Sequence, residues 1–553
     1  MPTIENTLTS RLSTATRAAF GWSVEPDLRT ATRPEFGHFQ TNLPLRLARP
    51  LALSPRTVGE RLIGALDVED LCLPPVLAGV GFVNLTLSPE FLVGQVAARA
   101  ADPHLGVDRP DAPQRIVVDY SSPNVAKQMH VGHLRSTVIG DALVRVLEFT
   151  GHEVLRRNHV GDWGTPFGML LEHLAETGFP EEPDLAVLDG AYRSARRRFD
   201  EESGFADRAR RRVVELQGGD SATRSLWERV VAASTDAFSV IYERLGVRLQ
   251  PGDVVGESRY QDQLQATLDD LDALGLLRVS NGAVCAFLPG FRTREGDPLP
   301  LVLRKSDGGF GYDATDVAAL RHRVAVDGAD RLVHVVDARQ GLHFEQVFAL
   351  ARAAGWLPEE VRAEHVAFGT VLGSDGRPFK TRDGGTVPLA ALLDAAEQRA
   401  GSRDVGIGAV KYADLSCGLG RDYVFDLARM VATDGDTGPY LQYAHARLAT
   451  LLARAGGAPG PVTTLEHPAE LRVAFLLTRF PDVVQDVVST LEPHRLCGYL
   501  HRLAVAVSAF YENCPVLRAE AAVRSSRLAL CAAARRTLAA GLDLLGIAAP
   551  DTM

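Results

Sequence analysis

The apolar run Ile116-Val117-Val118 gives way within a few residues to Pro123-Asn124-Val125-Ala126-Lys127-Gln128-Met129-His130-Val131-Gly132-His133, and then to a helical pattern. A buried strand that turns directly into a helix belongs to a parallel sheet with crossover helices, whose ligands sit at the carboxyl ends of the strands. Opening the helix with His-Val-Gly-His sets two imidazoles and a bare backbone at its N-terminus, where unpaired N–H groups and the dipole favour anions. The pattern reads as a nucleotide phosphate site. Lysine usage sharpens it: of 59 basic residues only Lys127, Lys305, Lys380 and Lys411 are lysine. Arginine has taken nearly every generic positive position, so these four are expected to need an ammonium group.

With 553 residues the chain exceeds one core and divides into several domains. Residues 1 to about 110 read as a compact α+β unit, ending at Asp108-Arg109-Pro110-Asp111-Ala112-Pro113. From 114 to about 405, β-branched runs such as Leu332 to Val336 alternate with helical patterns. Within that stretch, residues 181 to 245 carry Arg196-Arg197-Arg198 and Arg210-Arg211-Arg212 and read as an inserted helical subdomain with solvated charged faces. From 406 onward strand signals fade. Apolar spacing of three and four over Tyr440–Arg454, Leu471–Leu491, Leu496–Tyr511 and Ala519–Leu545 predicts a helical bundle.

The net charge of −10 gives no global sign of a polyanion partner, so any nucleic-acid surface is local. One such place is Leu471 to Met553, with nine Arg against seven Asp plus Glu. The six cysteines form no C-x-x-C pair, which points to reduced packing residues rather than a zinc site or disulfide framework. No apolar run reaches membrane-spanning length, and Met1-Pro2-Thr3-Ile4-Glu5-Asn6 lacks the character of a signal peptide. A cytoplasmic protein is expected.

His130 and His133 lie three apart, on one helix face, able to donate to phosphate oxygens, and Gly132 removes a side chain where a base or ribose would approach. The pattern extends well beyond them. Asp119-Tyr120-Ser121-Ser122-Pro123-Asn124-Val125-Ala126-Lys127, then Leu134-Arg135-Ser136-Thr137 and Asn158-His159-Val160-Gly161-Asp162-Trp163-Gly164, resemble the class I arginyl-tRNA synthetases. So do Arg304-Lys305-Ser306-Asp307-Gly308-Gly309, Asp337-Ala338-Arg339-Gln340-Gly341-Leu342-His343, Gly376 to Val387, Val410-Lys411-Tyr412-Ala413-Asp414-Leu415-Ser416 and Pro439 to Arg447. All four lysines fall inside these segments.

That resemblance implies a Rossmann-type parallel-sheet α/β catalytic domain with an N-terminal α+β appendage and a C-terminal all-α, anticodon-binding bundle. It implies activation of L-arginine by ATP, with Mg²⁺ accompanying the nucleotide and no protein-bound metal, then transfer to tRNA-Arg. Lys127, His130, His133 and Lys380 are the catalytic candidates, and His130, Gly132, His133 and Lys380 the ATP-binding ones. In place of the Lys-Met-Ser-Lys-Ser loop of related synthetases the chain has Phe379-Lys380-Thr381-Arg382-Asp383-Gly384-Gly385, with Lys127 expected to supply the missing ammonium. Around arginine the resemblance places Asn124, Gln340 and the pair Tyr312 and Asp316, four apart on one helix face, with Asp119 taking the α-ammonium or a guanidinium edge. Tyr443, Tyr511 and Asn513 are candidates for the anticodon, and Phe39, Gln40 and Asn42 for the tRNA elbow. After Ser416 the chain departs from the family's basic stretch with Cys417-Gly418-Leu419-Gly420-Arg421, where Arg421 stands to compensate. A specialised or non-catalytic tRNA-binding paralogue is the alternative, and a monomer is expected.

Overall fold

The computed structural model describes residues 3–22, 24–379 and 387–553. At its centre lies a four-stranded parallel sheet in the order Arg362–Phe368, Arg331–Asp337, Arg115–Asp119, Glu153–Arg157. Val117 and Leu332 pack into one core, while Ile116, Val118, Val333 and Val335 pack into another on the opposite face. Both faces are covered, which is why the strands read as continuous apolar runs rather than alternating ones.

The helix Val131–Phe149 lies along one of these faces with fifteen of its nineteen residues buried. Gly140 allows the approach: a Cβ there would sit 2.3 Å from Cβ and Cγ of the buried Tyr120. A helical insertion follows, made of Thr165–Thr177, Leu185–Glu201, Ser203–Gln217 and Ser221–Leu245. Its arginine runs are only partly solvated faces. Arg197 and Arg211 are exposed, but Arg208 and Arg212 converge on the buried Glu172. A three-stranded antiparallel sheet, Leu277–Ser280, Ala283–Arg292 and Pro298–Arg304, is an element the alternating pattern did not reveal.

The N-terminal unit is a four-stranded antiparallel sheet flanked by helices Ile4–Phe20, Leu43–Ala48, Pro55–Ala65 and Pro89–Ala101. It docks on the C-terminal helices: His38 stacks on Phe475 with ring centroids 4.4 Å apart, and Arg479 Nη2 reaches Glu5 Oε2 at 2.7 Å. Those helices are Gly438–Ala455, Pro468–Thr478, Phe480–Thr490, His494–Asn513 and Ala521–Leu544. The stretch Leu471–Leu491, read as one helical segment, is two. Pro481, within the first turn of the second helix, lacks the N–H and clashes with the preceding turn, so the chain bends there.

Lys411 uses its ammonium inside the protein. Its side chain is fully buried, with Nζ donating to Leu245 O at 2.8 Å and lying 3.9 Å from Asp141 Oδ2. Asp141 is ten residues beyond the start of its helix, about 15 Å along the axis from the histidine pair. This ammonium therefore ties helices together rather than facing a phosphate, and burial, set against the Asp141 charge, lowers its pKa to about 8.

Gly140→Ala is expected to overpack the Tyr120 contact and cost about 1–3 kcal/mol, seen as a lowered thermal unfolding midpoint. An unchanged midpoint would show that the helix is not held against Tyr120.

Candidate active site

His130 caps the helix. Its Nδ1 accepts the Gly132 N–H at 3.0 Å, and His133 Nδ1 in turn accepts the His130 N–H at 3.1 Å. The Val131 N–H goes to Val387 O at 3.2 Å and the His133 N–H to His130 O at 2.8 Å. The first-turn N–H groups expected to meet an anion are thus all used within the protein. What the arrangement frees is the other ring nitrogen. A neutral imidazole whose Nδ1 accepts a hydrogen bond carries its proton on Nε2, so both rings present an Nε2–H donor. Burial pushes both pKa values down, with Lys127 adding to the effect on each ring and the His130 charge also acting on His133, which falls to about 3. The two rings lie with centroids 4.0 Å apart. Gly132 also has a reason within the protein: a Cβ there would meet His130 Cε1 at 2.8 Å, so glycine admits the folded-back ring.

The turn before the helix is strained, with Ser121, Ser122 and Ala126 at φ of 73°, 48° and 62°. Side chains from elsewhere brace it. Ser121 Oγ shares a hydrogen bond with Tyr242 Oη at 2.8 Å, Ser122 N–H donates to Asn158 Oδ1 at 2.9 Å, and Ala126 N–H donates to Ser234 Oγ at 3.0 Å. Tyr242 and Ser234 both come from the last helix of the insertion.

Asp119 is already partnered. Arg323 Nη2 donates to its Oδ2 at 2.7 Å and Ser122 Oγ to its Oδ1 at 3.2 Å. Burial alone would raise its pKa, but the Arg323 guanidinium outweighs this and holds the carboxyl below its ordinary range. Asp119 therefore anchors Arg323.

A second cluster gathers at the neighbouring strand ends. Tyr312, Asp313 and Asp316 lie on the helix Tyr312–Ala325, and Tyr312 is exposed. His343, in the first turn of Gly341–Ala353, stands between the two acids, with Nδ1 3.0 Å from Asp313 Oδ1 and Nε2 2.7 Å from Asp316 Oδ2. Burial disfavours its charge, but the two carboxylates prevail and raise its pKa to about 9. Gln340, exposed, stands at the N-cap position of that helix without a side-chain capping bond. Asn124, Lys127, Gly161, Trp163, Tyr192 and Glu257 line an adjoining cavity of about 180 Å³, and Lys127 Nζ sits 4.6 Å from the Tyr192 ring centroid. Glu257 is pushed up to about 8 by burial and then by the charges of Asp316 and Asp162. Glu257, Asp313 and His343 were missed by sequence reasoning, since a lone Glu after Val255-Gly256 carries no pattern. Lys380, with Gly384 and Gly385, lies outside the described residues. Phe379, just before it, packs on Phe425 at 5.0 Å between centroids.

At the far end of the molecule Tyr443, Arg447, Arg454, Tyr511, Arg518 and Met553 line a groove of about 790 Å³. Arg447 stacks 3.6 Å over the Tyr511 ring, so one face of that ring is taken. Asn513 lies outside this lining, exposed, with Nδ2 donating to Ala509 O of its own helix at 2.7 Å. In the N-terminal unit Phe39 is fully buried, edge-on to Phe475 at 5.8 Å, which leaves no face for a base. Gln40 donates to Asn84 Oδ1 at 2.8 Å, and Asn42 stands at the N-cap position of the helix Leu43–Ala48 without a side-chain capping bond. At the departure after Ser416, backbone groups do the work: Arg421 O accepts from Arg135 Nη1 at 2.9 Å and Leu419 O from the Gly369 N–H at 2.9 Å.

The parallel sheet and histidine-headed helix define a class I aminoacyl-tRNA synthetase, and a family model described as "tRNA synthetases class I (R), catalytic domain" matches residues 100–427. "Arginyl tRNA synthetase N terminal domain" matches residues 3–87 and "DALR anticodon binding domain" residues 441–553. The arginine–tRNA ligase of Cutibacterium acnes is 51% identical, over 99% of this chain and 100% of that protein. That of Frankia casuarinae is 50% identical over 94% of each. Among solved structures, arginyl-tRNA synthetases of Plasmodium falciparum (TM-score 0.84, 28% identity) and Thermus thermophilus (TM-score 0.81, 26% identity) superpose over 100% of both chains. The chain belongs to the arginyl-tRNA synthetase family. Among the described residues no helix is long and apolar enough to cross a membrane.

Glu257 supplies a test of the pocket's electrostatics. An acid whose folded pKa is raised from 4.5 to about 8 binds more protons in the folded state, so its contribution to stability is lost as pH rises through that window. Glu257→Gln is expected to gain about 2–4 kcal/mol relative to wild type between pH 5 and 8, followed by thermal unfolding. Parallel pH profiles of the two proteins would contradict the raised pKa.

Proposed function

We propose that this chain is an arginine–tRNA ligase that joins L-arginine to the α-phosphate of ATP, releasing pyrophosphate, and then transfers the arginyl group to the terminal ribose of tRNA-Arg. The observation that carries this reading is the pairing of two neutral Nε2–H donors at one strand end with a carboxylate-rich pocket at the next. In the first step the arginine carboxylate attacks phosphorus, and negative charge grows on the phosphoryl oxygens. Fixed donors aimed at those oxygens need no reorganisation as the charge grows, and that is where they help most. His130 and His133 donate through Nε2, while Lys127 adds an ammonium from the same turn and Lys380 another. Mg²⁺ arrives as part of the MgATP substrate.

Arginine lies with its guanidinium toward Asp316 and Glu257, where paired carboxyls read both charge and planar shape. Its arrival beside Glu257 favours the ionised carboxylate and so expels a proton. Asn124, Tyr312 and Gln340 complete the enclosure. For tRNA, the groove with Tyr443, Arg447 and Tyr511 offers the aromatic and guanidinium planes on which unpaired anticodon bases stack, and Gln40 and Asn42 face the elbow. The labour divides as residues 1–110 for the elbow, 114–405 for chemistry with the insertion at 181–245, and 406–553 for the anticodon. The enzyme works as a cytoplasmic monomer.

The test is MgATP-dependent charging of total tRNA with labelled arginine, lysine, glutamine or citrulline. Wild type is expected to charge arginine alone, and His133→Ala, which deletes one phosphate donor and the acceptor for the His130 N–H, to lose about 10²–10³-fold in kcat. A folded protein that binds tRNA yet charges nothing would establish the non-catalytic alternative.

A further inference from the structure

Both nitrogens of His343 face carboxylate oxygens, at 3.0 Å to Asp313 and 2.7 Å to Asp316. A neutral imidazole has one N–H and would turn a lone pair toward one of these acids. Only the imidazolium donates to both. We propose that His343 is a positioning residue for arginine selection, a resident cation that cancels one of the two Asp charges and pins Asp316 so that a single carboxylate edge faces the substrate. The inference rests on the proposed arginine site and adds to it the group that sets its charge.

The surroundings hold the ring in this role. Its side chain is 10% exposed, against 13% for Asp313 and 24% for Asp316, so Asp316 is the most accessible of the three. Tyr312 and Phe344 flank it at 5.0 and 5.2 Å between centroids. From the strand behind, the titratable neighbour is His365, which bonds Val336 O through Nε2 at 3.0 Å and whose pKa is lowered, chiefly by burial. Asp316 Oδ2 is occupied by His343, and the remaining oxygen, Oδ1, lies 3.8 Å from His159 Nε2. With Asp313 and His343 offsetting each other and Glu257 protonated until arginine arrives, the empty pocket offers one full negative charge, from Asp316. Without the imidazolium, two carboxylates would repel across a half-buried site and Asp316 would be free to turn.

Two isosteric substitutions separate the two bonds. The amide nitrogen of glutamine reaches where Nε2 stands and preserves the Asp316 contact, whereas that of asparagine stands near Nδ1 and preserves only the Asp313 contact. In steady-state arginylation, His343→Gln, which keeps the Asp316 contact but loses the charge, is expected to raise KM for arginine about three- to tenfold. His343→Asn should raise it roughly ten- to a hundredfold, with kcat and KM for ATP little changed. Nitrogen-15 spectra of histidine-labelled wild type should show both His343 nitrogens protonated at pH 7. Equal arginine KM values for the Asn variant and wild type, or a single-protonated ring in those spectra, would overturn the assignment while leaving the ligase reading intact. Arginine-independent behaviour of the unaltered enzyme would overturn the ligase reading and this assignment together.

Discussion

The buried carboxylate of Asp141 is the interaction on which the rest of the molecule depends. It accepts from Arg145 Nε at 2.7 Å and from the Arg248 N–H at 2.7 Å, and faces Lys411 Nζ at 3.9 Å. Arg145 in turn donates to Gly246 O at 2.6 Å and to Asp543 Oδ1 at 3.0 Å. Asp141 and Arg145 together therefore gather the central helix, the end of the insertion, the helix Arg403–Leu415 and the last C-terminal helix. Removing one member of such a buried network leaves the others uncompensated, so the network acts as a unit.

Because the helix Val131–Phe149 is held at its middle by charge and along its length by burial, its N-terminus is fixed relative to the sheet. The histidine pair is then positioned by the backbone itself, each Nδ1 accepting an N–H two or three residues away. This arrangement spends the helix's own donors on shaping the rings, and the rings carry the donor function outward. The same logic runs through the strained Ser121–Ala126 turn, where the positive φ angles persist because Tyr242, Asn158 and Ser234 hold the turn from outside.

The parallel sheet was legible because a strand buried on both faces leaves an unbroken β-branched run, as at Ile116–Val118 and Leu332–Val336. The histidine-headed start of the helix was legible from His130 and His133, although the ring nitrogens left free there were not. Helix-terminus reasoning favours backbone N–H groups, and only the three-dimensional placement of the ring nitrogens shows them to be used. Phe39 failed as a stacking residue because an inward-facing strand position looks the same in sequence whether it meets solvent or another domain. The pairing of Asp119 was not legible because its partner, Arg323, lies far along the chain. Glu257 and His343 escaped because their character comes from burial and from neighbours on other elements.

The most direct test of this account is the structure of the protein bound to a non-hydrolysable arginyl-adenylate analogue. The phosphate-equivalent group is expected within hydrogen-bond distance of Nε2 of His130 and His133, with the capping bonds intact and the guanidinium against Asp316 and Glu257. An anion seated on the backbone N–H groups of residues 131–133 with the capping bonds broken, or a guanidinium placed away from Asp316, would contradict it.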